Sequence, residues 1–216
     1  MFTEDYVLRM ISLATAALAQ ALGLKAAGKL VEARQVLEGS LEELLGVPPR
    51  LLPFLEEDHL FQAVSNQRAP DPERLRITAE LLELYGNIRG EMGSTSEEAR
   101  LLNNALLLYL ESYLSREASS EMEHSGAIDQ LVRKLPQESF SDSALFSLFQ
   151  YYELTNRYGQ ALLILDRLKE SSGQATELDD EYLQFYRRLS AVDPARLQAG
   201  GIDYLWLLRQ MKQVDP

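Results

Sequence analysis

Cysteine is absent from the 216-residue chain, which removes both a disulfide framework and thiolate chemistry. Histidine is nearly absent, with only His59 and His124. Positive charge is short: 21 Lys and Arg stand against 33 Asp and Glu, for a net charge of −12 and a sequence pI of about 4.7. A nucleic-acid binder needs a cationic face to displace phosphate counterions, so no nucleic-acid partner is expected, and anionic membranes are disfavoured for the same reason. No stretch approaches the roughly 18 uninterrupted apolar residues of a membrane span. Glycine and proline are sparse, 12 and 8, and cluster between periodic runs. No Asn-Gly or Asp-Gly pair sits between alternating strands, so no β-hairpin signal is present. Nucleophile elbows of the Gly-x-Ser-x-Gly type, Walker loops and dinucleotide loops are also missing, so no cofactor and no catalytic residue is expected.

What remains is helix. Leu, Ala, Glu, Arg and Gln dominate, and all favour helices. Hydrophobic content of 46% and charged content of 25% suit an ordinary globular chain with a buried core. The fold expectation is all-α, a single helical-repeat domain over 1–216. The polar stretch 66–72 reads as a linker, giving possible sub-units 1–65 and 71–216. Glu4 and Asp5 precede the first apolar run where a secretory signal wants Lys or Arg, which predicts a cytoplasmic protein.

The most informative stretch runs from Leu145 to Gly173. Leu145, Leu148, Phe149, Tyr151 and Tyr152 recur at three- and four-residue steps, which lines one side of a helix. Asn156 breaks the pattern, and asparagine tolerates the left-handed backbone that ends a helix. Tyr158, Ala161, Leu162, Leu165 and Leu168 restart it. So short a link between two helices makes them antiparallel neighbours. The same offsets recur upstream: Gly28, Leu30, Ala33 and Leu37 stand in the relation of Asn156, Tyr158, Ala161 and Leu165.

Elsewhere the pattern predicts a first helix capped by Thr3 and ended by Gly28, with two apolar stripes. A second helix runs from Leu30 to a stop at Pro48-Pro49, and short helical turns follow over Leu51–Ser65. Asp71 caps a helix that opens on Pro72 and ends at Gly93. Ser94 or Thr95 then starts a helix with a face of Ala99, Leu102, Leu106, Tyr109, Leu110 and Tyr113. Ile128–Leu135, Leu178–Leu189, a turn at Asp193-Pro194 and a last helix carrying Trp206 complete the chain.

The hairpin spacing resembles the tetratricopeptide repeat, a 34-residue helix–turn–helix unit. The order of motifs also resembles an uncharacterised bacterial family of tetratricopeptide-like helical proteins found mainly in low-GC Gram-positive bacteria. Its members open with Asp/Asn-Tyr-aliphatic-aliphatic-Arg-x-Ile, here Asp5 to Ile11. They carry Gly-x-aliphatic-x-x-Ala, here Gly28 to Ala33, and end with a Phe-Tyr helix and an Ala-Gly-Gly turn, here Phe185-Tyr186 and Ala199-Gly200-Gly201. The resemblance implies stacked antiparallel hairpins in a right-handed array, and it implies no activity. Such stacking leaves a concave groove for a protein or peptide. The repeat alignment places Leu18, Leu22, Lys25, Phe146, Gln150 and Glu153 on it. The Lys and Asn set with which related domains clamp a peptide carboxylate is missing.

Two other readings compete. Glu56 with His59, and Glu121 with His124, form two Glu-x-x-His elements, as in di-iron carboxylate bundles. Neither sits in a strong apolar pattern, so solvated surface histidines are the simpler reading and no metal site is expected. A peptide-pheromone sensor of this architecture would need a DNA-binding helix-turn-helix, and none is present. The Tyr6–Arg9–Met10 face suits either burial or a homodimer contact.

Overall fold

The computed structural model describes residues 2–65, 71–115, 125–172 and 175–214. Among them every regular element is a helix and none is a strand, so the chain is all-α. Its contacts divide it into two compact units, Met1–Ser139 and Phe140–Pro216. The first unit spans both sides of the polar stretch 66–70, which lies outside the described residues.

In the first unit, α1 (Phe2–Ala26) and α2 (Leu30–Leu45) form one hairpin. A second pairs α4 (Pro72–Glu91) with α5 (Thr95–Leu114). Between them lie a 3-10 turn, Pro49–Phe54, and the short α3 (Glu57–Ser65). The unit is completed by α6 (Ser125–Lys134), which packs on α5. In the second unit α7 (Asp142–Leu154) pairs with α8 (Tyr158–Ser172). There α9 (Ala175–Ser190) packs on α8, and α11 (Tyr204–Val214) packs on α9, with α10 (Pro194–Ala199) between them in sequence.

One backbone motif turns all three hairpins. After α1, the Gly28 amide donates to the Lys25 carbonyl and the Lys29 amide to Leu24, both at 2.9 Å. After α4, Gly93 donates to Gly90 and Ser94 to Arg89, again at 2.9 Å. After α7, Asn156 donates to Glu153 at 3.0 Å and Arg157 to Tyr152 at 2.8 Å. This is the Schellman arrangement, which needs a left-handed residue just past the helix. Gly28, Gly93 and Asn156 fill that place with φ of 74°, 93° and 60°. Two of these turns were legible as an echo in the sequence. The third was not, because Thr95 and Glu98 stand where the others have a large apolar residue and alanine.

The α4–α5 pair forms the heart of the first unit. On α4, Leu75, Thr78, Ala79, Leu82 and Tyr85 recur at helical spacing and are buried, but Ile77, Leu81, Leu84 and Ile88 are buried as well. The reason is that α1, α2, α3 and α5 all pack against it, so its buried surface spreads well beyond one stripe, while Arg76, Glu80, Glu83 and Asn87 keep the remaining side polar and part-exposed. Buried polar side chains here are bonded to backbone carbonyls: Thr78 to Arg74 at 2.7 Å, Asn104 to Leu52 at 2.9 Å, and Ser112 to Pro72 at 2.7 Å. Such pairing offsets the cost of burying them. Asn104 thereby pins the 3-10 turn to α5.

Several helix boundaries depart from the sequence reading: α6 starts at Ser125 and α9 at Ala175, each three residues early, and the ends of α1 and α2 differ in their caps. Helix α1 already includes Phe2 and Thr3, so Thr3 does not cap it. Helix α2 ends at Leu45 because Gly46 turns left-handed there, ahead of the proline pair. The caps at Asp71, Ser141 and Asp193 form as side-chain acceptors for the amides of Arg74, Ala144 and Ala195 at 2.9, 3.1 and 3.0 Å.

The core of the second unit is aromatic. Phe149 meets Phe185 edge-on at 5.3 Å, and Tyr186 meets Trp206 edge-on at 5.9 Å, the geometry ring quadrupoles favour. Phe149 thus reaches from α7 to α9.

Candidate functional site

The six residues expected on a groove fall three in each unit. Leu18, Leu22 and Lys25 follow one another along α1; Leu18 is half-buried, Leu22 is exposed, and the Lys25 ammonium pairs with Glu91 of α4 at 2.8 Å. Phe146, Gln150 and Glu153 follow one another along α7 at the same offsets. Phe146 is 38% exposed, and its ring lies 5.9 Å from that of Phe149. Gln150 is half-buried.

Glu153 accepts two bonds from Arg188 of α9, at 2.6 and 2.9 Å, and Arg188 also reaches Glu181 at 2.9 Å. The forked guanidinium fits a carboxylate in this bidentate way. The Glu153 bond, with Glu181, holds Arg188 firmly protonated, above its ordinary value. The α7 face thus carries an aromatic ring, a half-buried amide and a clamped ion pair in line. Sequence reasoning found Glu153 and missed Arg188, because nothing in a single sequence links positions 35 residues apart.

A depression of about 500 Å³ lies beside the start of α8. Leu162, Leu163 and Ile202 form its apolar wall, and Arg157, Gln160 and the Ala199–Gly201 turn form the remainder. Here the glycines have a structural task. The Gly159 amide donates to the Gly200 carbonyl at 2.8 Å, and a Cβ on Gly200 would run into Tyr158 and the Asn156 carbonyl. Asn156 Oδ1 accepts from Tyr158 Oη at 2.7 Å and from Arg196 at 2.9 Å. The Ala-Gly-Gly turn is thus docked on the α7–α8 turn. The lining holds no carboxylate or imidazole, and a guanidinium does not exchange protons at ordinary pH.

Tyrosine–carboxylate pairs supply the strongest electrostatic perturbations. Tyr109 donates to Glu83 at 2.9 Å and Tyr85 to Glu38 at 3.0 Å. Burial raises the Glu83 carboxyl above its usual range, partly offset by the Tyr109 bond. Burial and Glu38 push the Tyr85 phenol up to about 12, and burial with Glu83 raises Tyr109 further. Both pairs join neighbouring helices, α4 with α5 and α2 with α4, which is a structural use of the bond.

The metal reading concerns Glu56, His59, Glu121 and His124. Glu121 and His124 lie outside the described residues. His59 Nδ1 is 3.8 Å from Glu56, with both side chains mostly exposed. Among the described residues no group of three or more His, Asp and Glu side chains could hold a metal ion. Likewise, no described helix is long and apolar enough to cross a membrane.

The sequence matched none of the protein-family models, and no curated protein and no solved structure matched it either.

Proposed function

We propose that the chain is a non-catalytic scaffold of helical hairpins, arranged as a tetratricopeptide-like right-handed array, that binds a protein or peptide. The α7 face supports this most directly. Phe146 is a half-exposed aromatic held from behind by Phe149, itself buried against Phe185. A rigid aromatic anchor beside a fixed polar rim is how binding hot spots are built. Here Gln150 and the Glu153–Arg188 pair supply that rim. The Leu18–Leu22–Lys25 line of α1 repeats these helix offsets, but its Lys25 is tied to Glu91, so the reading rests on α7. A cytoplasmic setting accords with the cysteine-free, acidic chain.

Capture from the source organism with the tagged full chain, read by mass spectrometry, tests the reading. The expected result is a reproducible partner recovered by the wild type and lost with Phe146→Glu. Recovery of the same proteins by both, or of none by either, would contradict it. Stoichiometric iron or manganese in the purified protein would point to the metal-dependent alternative.

A further inference from the structure

The two sides of α1 differ. Its inner line, Met10, Ala14 and Ala21, is buried, and α1 packs on α2 and α4. About 100° round the axis, one residue step in an α-helix, runs a second line. Leu8, Thr15 and Leu22 follow one another there at seven-residue steps, with Ile11, Ser12, Leu18 and Ala19 between them. Leu8 is 65% and Leu22 50% exposed; Ser12, Thr15 and Ala19 are exposed, and Ile11 and Leu18 half-buried. No member of this line is charged, in a chain whose net charge is −12. The other flank of α1 is mixed, with Arg9, Leu13 and Gln20.

Heptad spacing of apolar residues makes a seam that a second helix can share. This seam is also its own complement. Reversed about Thr15, it sets Leu8 against Leu22, Ser12 against Leu18 and Ile11 against Ala19, so each small residue meets a large one. A mirror of this kind is the signature of an isologous contact, in which residue i meets j and j meets i. We propose that α1 pairs with α1 of a second copy of this chain, antiparallel, with Thr15 on the two-fold axis. An unrelated apolar partner would leave the small-against-large mirror unexplained.

The contact is narrow. A 25-residue helix is roughly 37 Å long and about 10 Å wide, so each copy contributes roughly 370 Å², under half of the ~800 Å² per partner of a stable complex. Assembly is therefore weak, reversible and concentration-dependent.

The absence of cysteine makes a direct test possible. Thr15→Cys in the full chain, mildly oxidised at about 100 µM, is expected to give one disulfide-linked dimer. Leu13→Cys, exposed on the other flank, is expected to remain monomeric. Sedimentation velocity of the unmodified protein should pass from 24.4 kDa toward twice that mass as concentration rises. Leu22→Glu should hold it at the monomer, and Leu8→Lys with Leu22→Glu should restore the dimer, since these positions face each other only in the antiparallel register.

Equal cross-linking of both cysteine variants, or of neither, overturns the proposal. So does a dimer that survives Leu22→Glu with an unchanged circular dichroism spectrum. A chain that stays monomeric at every concentration but pellets with phosphatidylcholine vesicles overturns it too, and assigns the seam to a lipid surface. The mass and cross-link readouts do not involve α7, so this proposal and the scaffold reading can fail separately.

Discussion

The α4–α5 and α7–α8 hairpins turn through the same hydrogen-bonded motif, yet they are sunk into their units to different depths. On α4 and α5, leucines and isoleucines are buried on several sides, and Asn104 and Ser112 tie the pair to neighbouring backbone. On α7 and α8, the line Leu148, Phe149 and Tyr152 is buried, while Phe146, Leu154 and Leu163 remain exposed. One turn chemistry thus serves two ends. A hairpin packed among others is buried on several sides, and a hairpin covered on one side keeps an exposed apolar face.

The sharpest way to break that contrast is by truncation. Phe149→Ala removes a fully buried ring and should cost about 3–5 kcal/mol, and Leu106→Ala about 2–5 kcal/mol, by denaturant unfolding. Leu163→Ala, at a side chain 67% exposed, should stay within about 0.5 kcal/mol. A cost above roughly 2 kcal/mol at Leu163 would mean that α8 has no open side.

Asn104→Ala leaves the buried Leu52 carbonyl without its donor and should cost about 1–3 kcal/mol. Protease nicking near Pro49–Phe54 should rise with it, since that turn loses its tie to α5. Unchanged nicking would show that the turn is held by its apolar contacts alone.

The shared turn predicts a smaller effect. At Asn156, with φ of 60°, Asn156→Gly should be the milder substitution and Asn156→Ala worse by about 1 kcal/mol, because alanine resists the left-handed backbone. Both lose the bonds from Tyr158 and Arg196, so the difference between them isolates the backbone term.

How much of this was legible follows from range. Gly28, Asn156, Asp71 and the helix order could be read because each acts within a few residues of itself. The wide burial of α4 could not, since Ile77 and Leu84 lie off its main stripe and are covered only because several helices pack against it. The α7 line of Phe146, Gln150 and Glu153 followed from the repeat offsets, whereas the Arg188 clamp and the docking of Gly200 on Gly159 depend on contacts between distant positions. At Gly93 the helix end was legible, but its kinship to the other two turns was hidden by the residues after it.

The smallest expected effect is electrostatic. Burial raises the Glu83 carboxyl above its usual 4.5, so the folded state holds that proton more tightly than the unfolded chain. Its contribution to stability is full below the unfolded value and is lost as pH rises through the raised one. Glu83→Gln keeps an acceptor for Tyr109 and cannot ionise, so the variant should gain on the wild type as pH climbs from about 4.5 toward neutrality. Parallel stability curves would show that the Tyr109 bond cancels the effect of burial on Glu83.

The central claim is that the open side of the α7–α8 hairpin is a binding face, and the paired capture with wild type and Phe146→Glu tests it most directly. The account predicts a protein retained by the first and lost by the second, with both chains giving the same circular dichroism spectrum and unfolding midpoint. An identical set of proteins on both, from chains equally folded, would contradict it.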